Sequence, residues 1–154
     1  MDDIFFMDAA YRQALKAKSK NEVPIGAVLV NNSGKIITRA YNQVEKKGTV
    51  LAHAELLTLA KAVKKMKNWR LSGTTLYVTL QPCMMCLGAL YLSRIDRVVY
   101  GVESLKFGAS LNLLEPNLKI YKNLGMKVEC LNYVKAKDLL QLFFQKKRSL
   151  VHDQ

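Results

Sequence analysis

The sequence predicts a three-layer α/β domain in which a mixed sheet of five strands has helices on both faces. Three observations lead to this class. The chain has 154 residues, which suits a single domain over 1–154, and half of its residues are hydrophobic. Segments with helical spacing and short β-rich runs follow one another in the order αββαβαβαβα. A hairpin followed by alternating strands and helices is typical of right-handed βαβ crossovers around a central sheet.

The first half of the chain begins with a helix and a hairpin. Hydrophobic residues at helical spacing, behind two acidic capping candidates, predict a helix from about 3 to 19. Ile25 to Val30 and Ile36 to Tyr41 predict two strands, and the turn residues Asn31-Asn32-Ser33-Gly34 between them predict a hairpin. After a polar loop, helical spacing returns from Ala52 to Met66.

The second half alternates strands and helices. In chain order, the predicted elements are a strand from Thr74 to Leu80, a helix from Cys83 to Ser93, a strand from Val98 to Val102, a short helix around 118–124, a strand from Lys127 to Tyr133 and a basic C-terminal helix from Lys135 to Leu150. The segment from Met84 to Leu92 is apolar on every side of its helix. It must therefore be covered all round, either by its own sheet or by a second subunit.

Composition excludes several other classes of protein. The longest nearly apolar run, Cys83 to Leu92, has ten residues, about half the length of a membrane span. The acidic start Met1-Asp2-Asp3 does not resemble a secretory signal, so we expect a cytoplasmic protein. In a reducing compartment, closely spaced cysteines more often bind metal or do redox chemistry than form disulfides.

The strongest compositional signal is charge, because 24 basic residues stand against 12 acidic ones and give a net charge of +12. Such an excess attracts polyanions such as RNA, DNA or anionic lipid. A merely soluble surface is the alternative, since 18 of the 24 basic residues are lysine. If RNA is the substrate, the candidates for phosphate contacts are Lys61, Lys64, Lys65, Arg70, Lys146, Lys147 and Arg148.

Two short motifs supply three good zinc ligands. They are His53-Ala54-Glu55 and Pro82-Cys83-Met84-Met85-Cys86, each at a predicted helix start. Structural zinc sites close with four protein ligands, so three ligands indicate a catalytic site with a position open for water. Cys130 is the remaining thiol, but its alternating strand explains it better as a buried core residue. A thioredoxin-like redox pair is the competing interpretation, and it leaves the histidine motif without a role.

Glu55 is the candidate base. At 100° per residue it points about 200° around the helix from His53, so it is poorly placed as a ligand but can reach the ion's water. Two thiolates and a neutral imidazole weaken Zn²⁺ as a Lewis acid, so a nearby base is needed. Taken alone, an acid in the first helical turn would instead be expected to stabilise the helix N-terminus.

Together, these motifs resemble the H-x-E and P-C-x-x-C pair of the zinc-dependent cytidine and deoxycytidylate deaminase superfamily. Within it, the chain is most similar to the bacterial branch that converts the wobble adenosine of a tRNA anticodon to inosine. The resemblance runs from about Asp8 to Arg148. Beside the zinc motifs it rests on Val23 to Val28, Asn42, Leu76 to Gln81, Gly88-Ala89, Ser93-Arg94-Ile95, Lys106-Phe107-Gly108-Ala109 and Phe143-Phe144. It implies a cytidine-deaminase-like α/β/α fold and a homodimer.

The resemblance also implies roles for individual residues. One Zn²⁺ per subunit would be held by His53, Cys83 and Cys86, and Glu55 would move protons while water attacks C6 of adenine. The residues implied to contact the substrate nucleoside are Asn42, Pro24 and, through its backbone, Ala54. The residues implied to contact the tRNA anticodon stem-loop are Phe144, Lys147, Arg148 and Lys106, although a Phe pair on an amphipathic helix is more often core.

Three departures from the family pattern concern the substrate rim and the tail, and none concerns the metal. Thr49-Val50-Leu51 stands where the family usually has Asp-Pro-Thr, Gln81 where it has Glu, and Gln145 where it commonly has Arg. Two other functions therefore stay open. One is a deaminase of a free base or nucleoside, such as guanine or cytosine, and the other is a zinc-containing RNA-binding module without catalysis.

Overall fold

A computed structural model describes residues 2–110 and 125–153, and the elements are numbered along these residues. The helices are α1 (Asp3–Ser19), α2 (Val44–Lys47), α3 (Ala54–Met66), α4 (Met84–Leu92) and α5 (Val134–His152), with a 3₁₀ turn at Val50–Ala52. The strands are β1 (Gly26–Asn31), β2 (Ile36–Tyr41), β3 (Thr74–Leu80), β4 (Arg97–Val102) and β5 (Lys127–Cys130). The short helix predicted around 118–124 lies outside the described residues.

The five strands form one mixed sheet in the order β2-β1-β3-β4-β5. β1 pairs antiparallel with both β2 and β3, whereas β4 pairs parallel with both β3 and β5. The predicted hairpin is present. Its turn is fixed by Asn31, whose Oδ1 accepts hydrogen bonds from the backbone N–H groups of Ser33 and Lys35 at 3.1 and 2.9 Å. The predicted α/β class and the five-stranded mixed sheet are confirmed.

Successive residues of each strand face opposite layers of the core, as the pleat of a sheet requires. Leu76 and Val98 pack with α3 and α4 on one face of the sheet. Tyr77 and Val99 pack with α1 and the start of α5 on the other face. Helices α3 and α4 therefore share a layer, and both carry a predicted zinc motif at the N-terminus.

The loop after β2 is more ordered than the sequence predicts. It contains α2, whose first turn is capped by Glu22 from the segment before β1. The Glu22 carboxylate is buried and accepts hydrogen bonds from the backbone N–H groups of Glu45 and Lys46 at 2.7 and 3.1 Å. A capping acid far away in the chain leaves no local signal, which is why the spacing of hydrophobic residues missed this helix.

Several predicted boundaries are shifted by one to three residues, and the backbone explains two of these shifts. Helix α3 begins at Ala54 instead of Ala52, because His53 keeps an extended backbone with ψ at 145°. Strand β5 is shorter than predicted and ends at Cys130, because Asn132 adopts a left-handed conformation with φ at 53° and turns the chain toward α5.

The described residues cover helix α4 on one side only. Its buried residues are Cys86, Leu87 and Leu90, which face the sheet. Met84 and Leu92 on the same helix are 66% and 53% exposed. The sheet of this chain therefore does not give the all-round cover that the sequence predicts for this helix. None of the helices that the structure describes is long and apolar enough to cross a bilayer.

Two lysines of α3 cover the open edge of β2. Lys61 Nζ donates a hydrogen bond to the backbone oxygen of Arg39 at 3.0 Å, and Lys65 Nζ donates one to that of Ile37 at 2.8 Å. Charged side chains on an edge strand discourage pairing with another chain. This role accounts for two of the residues predicted above as phosphate contacts without invoking RNA.

Candidate active site

The two predicted zinc motifs meet at the N-termini of α3 and α4. His53 Nδ1 lies 3.4 Å from Cys86 Sγ and 3.7 Å from Cys83 Sγ. All three potential ligand atoms lie within 4.8 Å of one another. Cys86 is buried, whereas His53 and Cys83 are half-buried, so the cluster can be reached from one side.

Helix starts explain why these side chains converge. His53 occupies the N-cap of α3 and Cys83 the N-cap of α4, and Cys86 follows in the first turn of α4. The free N–H groups and positive dipole end of a helix N-terminus favour a thiolate. Because α3 and α4 lie in one layer, the two starts deliver an imidazole and two thiols to the same point.

The spacing of the three side chains fits a tetrahedral zinc ion. Zn–S and Zn–N bonds of about 2.3 and 2.0 Å hold neighbouring ligand atoms roughly 3.5 to 3.8 Å apart in a tetrahedron. The two distances from His53 Nδ1, 3.4 and 3.7 Å, agree with this value. Among the described residues, no further His, Cys, Asp or Glu joins the group. A bound ion would therefore keep a position open.

The remaining thiol, Cys130, lies outside this cluster. Its Sγ contacts Asn132 Oδ1 at 3.4 Å and the backbone oxygen of Gly101 at 3.9 Å. It packs against the core beside Val128 but is only half-buried. Cys130 therefore belongs to the edge of the core, as predicted, but it is half-buried and not buried, because it is the last residue of the short strand β5.

The two thiols of the cluster differ in acidity. Hydrogen bonds with Cys86 and His53 lower the pKa of Cys83 to about 4. The hydrogen bond with Cys83, together with burial, raises the pKa of Cys86. The hydrogen bond with Cys83 also raises the pKa of His53. The structure thus favours a thiolate at Cys83, the form in which cysteine binds a metal.

Glu55 lies beside the three ligand atoms and is not one of them. It is the second residue of α3, is only 4% exposed, and its carboxyl group lies close enough to His53, Cys83 and Cys86 to interact with them electrostatically. Burial raises the pKa of this carboxyl group. Burying a carboxylate is costly, so a glutamate at this point needs a reason beyond stabilising a helix start.

Asn42, predicted to contact the substrate, holds the rim of the site together. Its Nδ2 donates a hydrogen bond to the backbone oxygen of Val23 at 3.2 Å, and its Oδ1 accepts one from the backbone of Val44 at 3.3 Å. The backbone N–H of Gln43 donates to the oxygen of Ala52 at 3.0 Å. These bonds tie the end of β2 to the segment before β1 and to the turn before α3.

Pro24 and Ala54, the other two predicted substrate contacts, are both buried. Pro24 lies in the segment held by Asn42, and Ala54 is the first residue of α3 with no exposed surface. The methyl side chain of Ala54 is fully covered, so it cannot contact a ligand. Ala54 is therefore limited to backbone contacts, as the resemblance implies.

Gln81, a departure from the family pattern, connects the cysteine motif to the loop after β4. Its Oε1 accepts a hydrogen bond from the backbone of Ser104 at 3.1 Å, and its Nε2 donates one to the oxygen of Ala109 at 3.2 Å. Gly108 pairs with Cys83 in an isolated bridge, and a Cβ on Gly108 would lie 2.2 Å from Gln81 Oε1. The sequence placed Gln81 at the rim but carried no signal for this contact.

Lys106 is carried by that same loop. It is exposed and its Nζ lies 5.4 Å from the ring centroid of Phe107, which is itself 69% exposed. The two hydrogen bonds of Gln81 thus hold the loop that carries Lys106 and Phe107 near Cys83.

The predicted RNA contacts of the tail lie apart from the cluster. The Phe pair divides: Phe143 is buried and Phe144 is 42% exposed. Phe144, Lys147 and Arg148 line a shallow groove along α5 together with Val151 and His152. Helix α5 packs against β4 and α1, on the face of the sheet away from α3 and α4. Of the Phe pair, only Phe143 is the core residue that an amphipathic helix would be expected to bury.

Comparison with known proteins agrees with the fold. The family profile of MafB19-like deaminases matches residues 1–148. The tRNA-specific adenosine deaminase of Bacillus subtilis (strain 168) is 51% identical over 116 residues, covering 73% of this chain and 71% of the relative. That of Buchnera aphidicola subsp. Schizaphis graminum is 44% identical over 153 residues, covering 95% and 96%. A structure from work on A-to-I editing by tRNA:A34 deaminases at the wobble position of transfer RNA has a TM-score of 0.79 and 33% identity, covering 89% of this chain and 99% of that one.

An α/β/α fold with a His-Cys-Cys group and an adjacent buried glutamate, matched along nearly its whole length by a deaminase profile, defines a deaminase. Within the deaminases, the sequence identities of 51% and 44% to the two relatives identify the family. The chain belongs to the family of tRNA-specific adenosine deaminases. The resemblance expected from the sequence is thereby confirmed.

Proposed function

We propose that this chain hydrolyses the wobble adenosine of a tRNA anticodon to inosine, with one zinc ion held by His53, Cys83 and Cys86. The observation that carries the proposal is the buried Glu55 carboxyl group beside a three-ligand cluster with zinc spacing. A hydrolytic deaminase needs these two parts: an ion that activates water and a base that moves its protons.

The residues divide the chemistry between them. Zinc, when bound, supplies a Lewis acid that makes a water molecule acidic enough to lose a proton near neutral pH. Glu55 accepts that proton as the water oxygen attacks C6 of adenine, and it delivers the proton to the adjacent ring nitrogen. Glu55 then takes the proton of the new C6 hydroxyl group and gives it to the amino group, which leaves C6 as ammonia while the ring carbonyl of inosine remains.

The rim residues position the base for this attack. Asn42 uses one Nδ2–H and one Oδ1 lone pair in its hydrogen bonds with Val23 and Val44. A second N–H and a second lone pair remain to hydrogen-bond a substrate. Pro24 lies in the segment that Asn42 holds, and Ala54 is the first residue of α3, directly after His53. A loop adenosine is already partly unstacked, so moving it into the pocket costs less than extraction from a duplex.

A deaminase of free bases is the second candidate, and charge decides against it. A net charge of +12 is not needed to bind a neutral nucleoside, whereas an RNA substrate is held by phosphate contacts. A non-catalytic zinc module is disfavoured by Glu55, because a binding module gains nothing from a buried carboxyl group beside its metal.

The salt dependence of catalysis tests whether RNA is the substrate. We expect kcat/KM for an anticodon stem-loop to fall by roughly 0.7 log units per tenfold increase in salt for each single-strand phosphate neutralised, because binding releases counterions. The double substitution Lys147→Ala with Arg148→Ala should lower kcat/KM and flatten this slope. Point substitutions are preferable to deleting the tail, because Phe143 is buried.

Two controls complete this experiment. The double substitution Lys16→Ala with Lys18→Ala removes the same charge from exposed positions of α1 and should keep the slope. Free adenosine should show a rate that is nearly independent of salt in every variant. Superimposable flat plots for the stem-loop would instead support the deaminase of free bases.

We also propose that the protein is a homodimer, with the uncovered side of α4 in the interface. Met84 and Leu92 of α4 are 66% and 53% exposed, and Leu105 and Phe107 in the loop held by Gln81 are 98% and 69% exposed. Apolar side chains exposed on one helix and one nearby loop mark a surface for a protein partner. A second copy of the chain would give α4 the cover that its own sheet does not provide.

Sedimentation tests the dimer. We expect a mass about twice the 17.4 kDa of one chain at micromolar concentration. The substitutions Met84→Glu and Leu92→Glu together should shift the protein to monomer, because charges would be buried in the interface. The control Leu15→Glu, at a 41% exposed position of α1, should stay dimeric. A wild-type mass near 17.4 kDa at all concentrations would contradict the proposal.

A further inference from the structure

A long segment of the chain carries positive charge without any acid. Residues 56–95 contain six basic residues and no Asp or Glu. Two of the six, Lys61 and Lys65, donate to the edge of β2. The others include Lys64, Lys67 and Arg70, which gather with Trp69 at the C-terminal end of α3, and we call these four residues the distal basic patch. All four side chains are exposed.

The turn that carries the distal basic patch is anchored in the fold. Lys67 ends α3 in a left-handed conformation with φ at 53°. Asn68 Oδ1 then accepts a hydrogen bond from the backbone of Arg70 at 3.0 Å. The next residue, Leu71, is fully buried, and its backbone N–H donates to the oxygen of Ser93 at 2.7 Å. The charges are therefore presented at a fixed place.

Trp69 pre-organises the guanidinium group of Arg70. The Arg70 Cζ lies 4.5 Å from the Trp69 ring centroid, and the ring is 50% exposed. An arginine stacked on an aromatic face keeps its N–H donors free for a bidentate phosphate contact and loses less entropy when it makes one. A large exposed aromatic ring beside several cations is a common feature of RNA-binding surfaces.

The charge of the distal basic patch is not neutralised within the described part of the chain. The ion pairs described there join Arg97 to Asp3 and Glu129, and Lys135 to Asp8. All of these residues lie on other elements. The patch is thus complementary to a polyanion.

We propose that the distal basic patch binds phosphates of the substrate tRNA outside the anticodon loop. This inference rests on the proposed function. Along α3, twelve steps of about 1.5 Å separate Ala54 from Met66, so the patch lies about 18 Å from the metal cluster. A base held at the cluster therefore leaves the patch about 18 Å away, so both are contacted together only by an RNA whose backbone continues well beyond that base. The rigid helix fixes the distance between the two contacts.

The experiment compares two substrates with the same loop: full-length tRNA and a hairpin with a shortened stem. We expect Lys64→Glu with Lys67→Glu, and separately Arg70→Glu, to raise KM for full-length tRNA about tenfold and leave kcat unchanged. The slope of log(kcat/KM) against log salt should flatten by roughly 0.7 to 0.9 for each lost contact. The shortened hairpin should show no such change. Trp69→Ala should weaken tRNA binding and Trp69→Phe should retain it, because the phenyl ring still supports Arg70.

The matched control is Lys16→Glu with Lys18→Glu, which makes the same change of charge on α1. Equal KM values for the patch variants and this control would overturn the inference, and so would equal losses on both substrates. Failure of the proposed function would look different, because wild-type protein would then form no inosine in either RNA.

Discussion

Replacing Glu55 by Gln should abolish most deamination while leaving the metal site and the fold intact. The amide has the size of the carboxyl group and fits the same buried position, but it cannot accept a proton from water. Proton transfer by a positioned side chain contributes about 10²- to 10⁴-fold to a rate, and kcat should fall by that factor. Single-turnover formation of inosine, measured beside zinc content, checks this result.

The control for this substitution is Glu45→Gln, at an exposed acid of α2. It should leave kcat and zinc content unchanged. Normal turnover by the Glu55→Gln variant would remove Glu55 from the mechanism. A loss of zinc in that variant would show that Glu55 serves the metal site instead of the proton transfer.

Replacing Cys86 by Ala should remove zinc and activity together. Its Sγ lies 3.4 Å from His53 Nδ1, its side chain is buried, and among the described residues no further cysteine or histidine joins the cluster. Two remaining ligands bind zinc far more weakly than three, because each thiolate supplies both a bond and a charge. Metal analysis after gel filtration should find zinc well below one ion per chain, and deamination should fall to background.

Cys130→Ala is the matched control, because this thiol lies outside the cluster and its Sγ contacts Asn132 and Gly101. It should keep full zinc content and activity. Full zinc content in the Cys86→Ala variant would contradict the assignment of the three ligands.

Local sequence patterns were enough to predict the fold and to select the three candidate zinc ligands that lie together in the structure. The turn residues at Asn31 to Gly34 predict the hairpin because their side chains act on their own backbone. Likewise, both zinc motifs lie at helix starts, and a helix start is a local feature of sequence. The convergence of His53 with Cys86 follows once both helices occupy one layer of the fold.

Contacts between distant segments could not be predicted in the same way. Glu22 caps α2 across 23 positions of sequence, and Gln81 bonds to Ser104 and Ala109 in another loop. The difference between the neighbours Phe143 and Phe144 depends on how α5 docks on the sheet. Each of these depends on tertiary packing, and none leaves a periodic pattern in the chain.

Mapping inosine within a tRNA after reaction tests the central claim most directly. Purified protein is incubated with a tRNA that has adenosine at the wobble position, and the product is digested and sequenced. A second transcript carries guanosine there, with adenosine elsewhere in the loop. We predict one inosine per molecule, at the wobble position of the first transcript, with an equal release of ammonia, and none in the second. Inosine at other loop positions, or ammonia released only from free bases, would contradict the account.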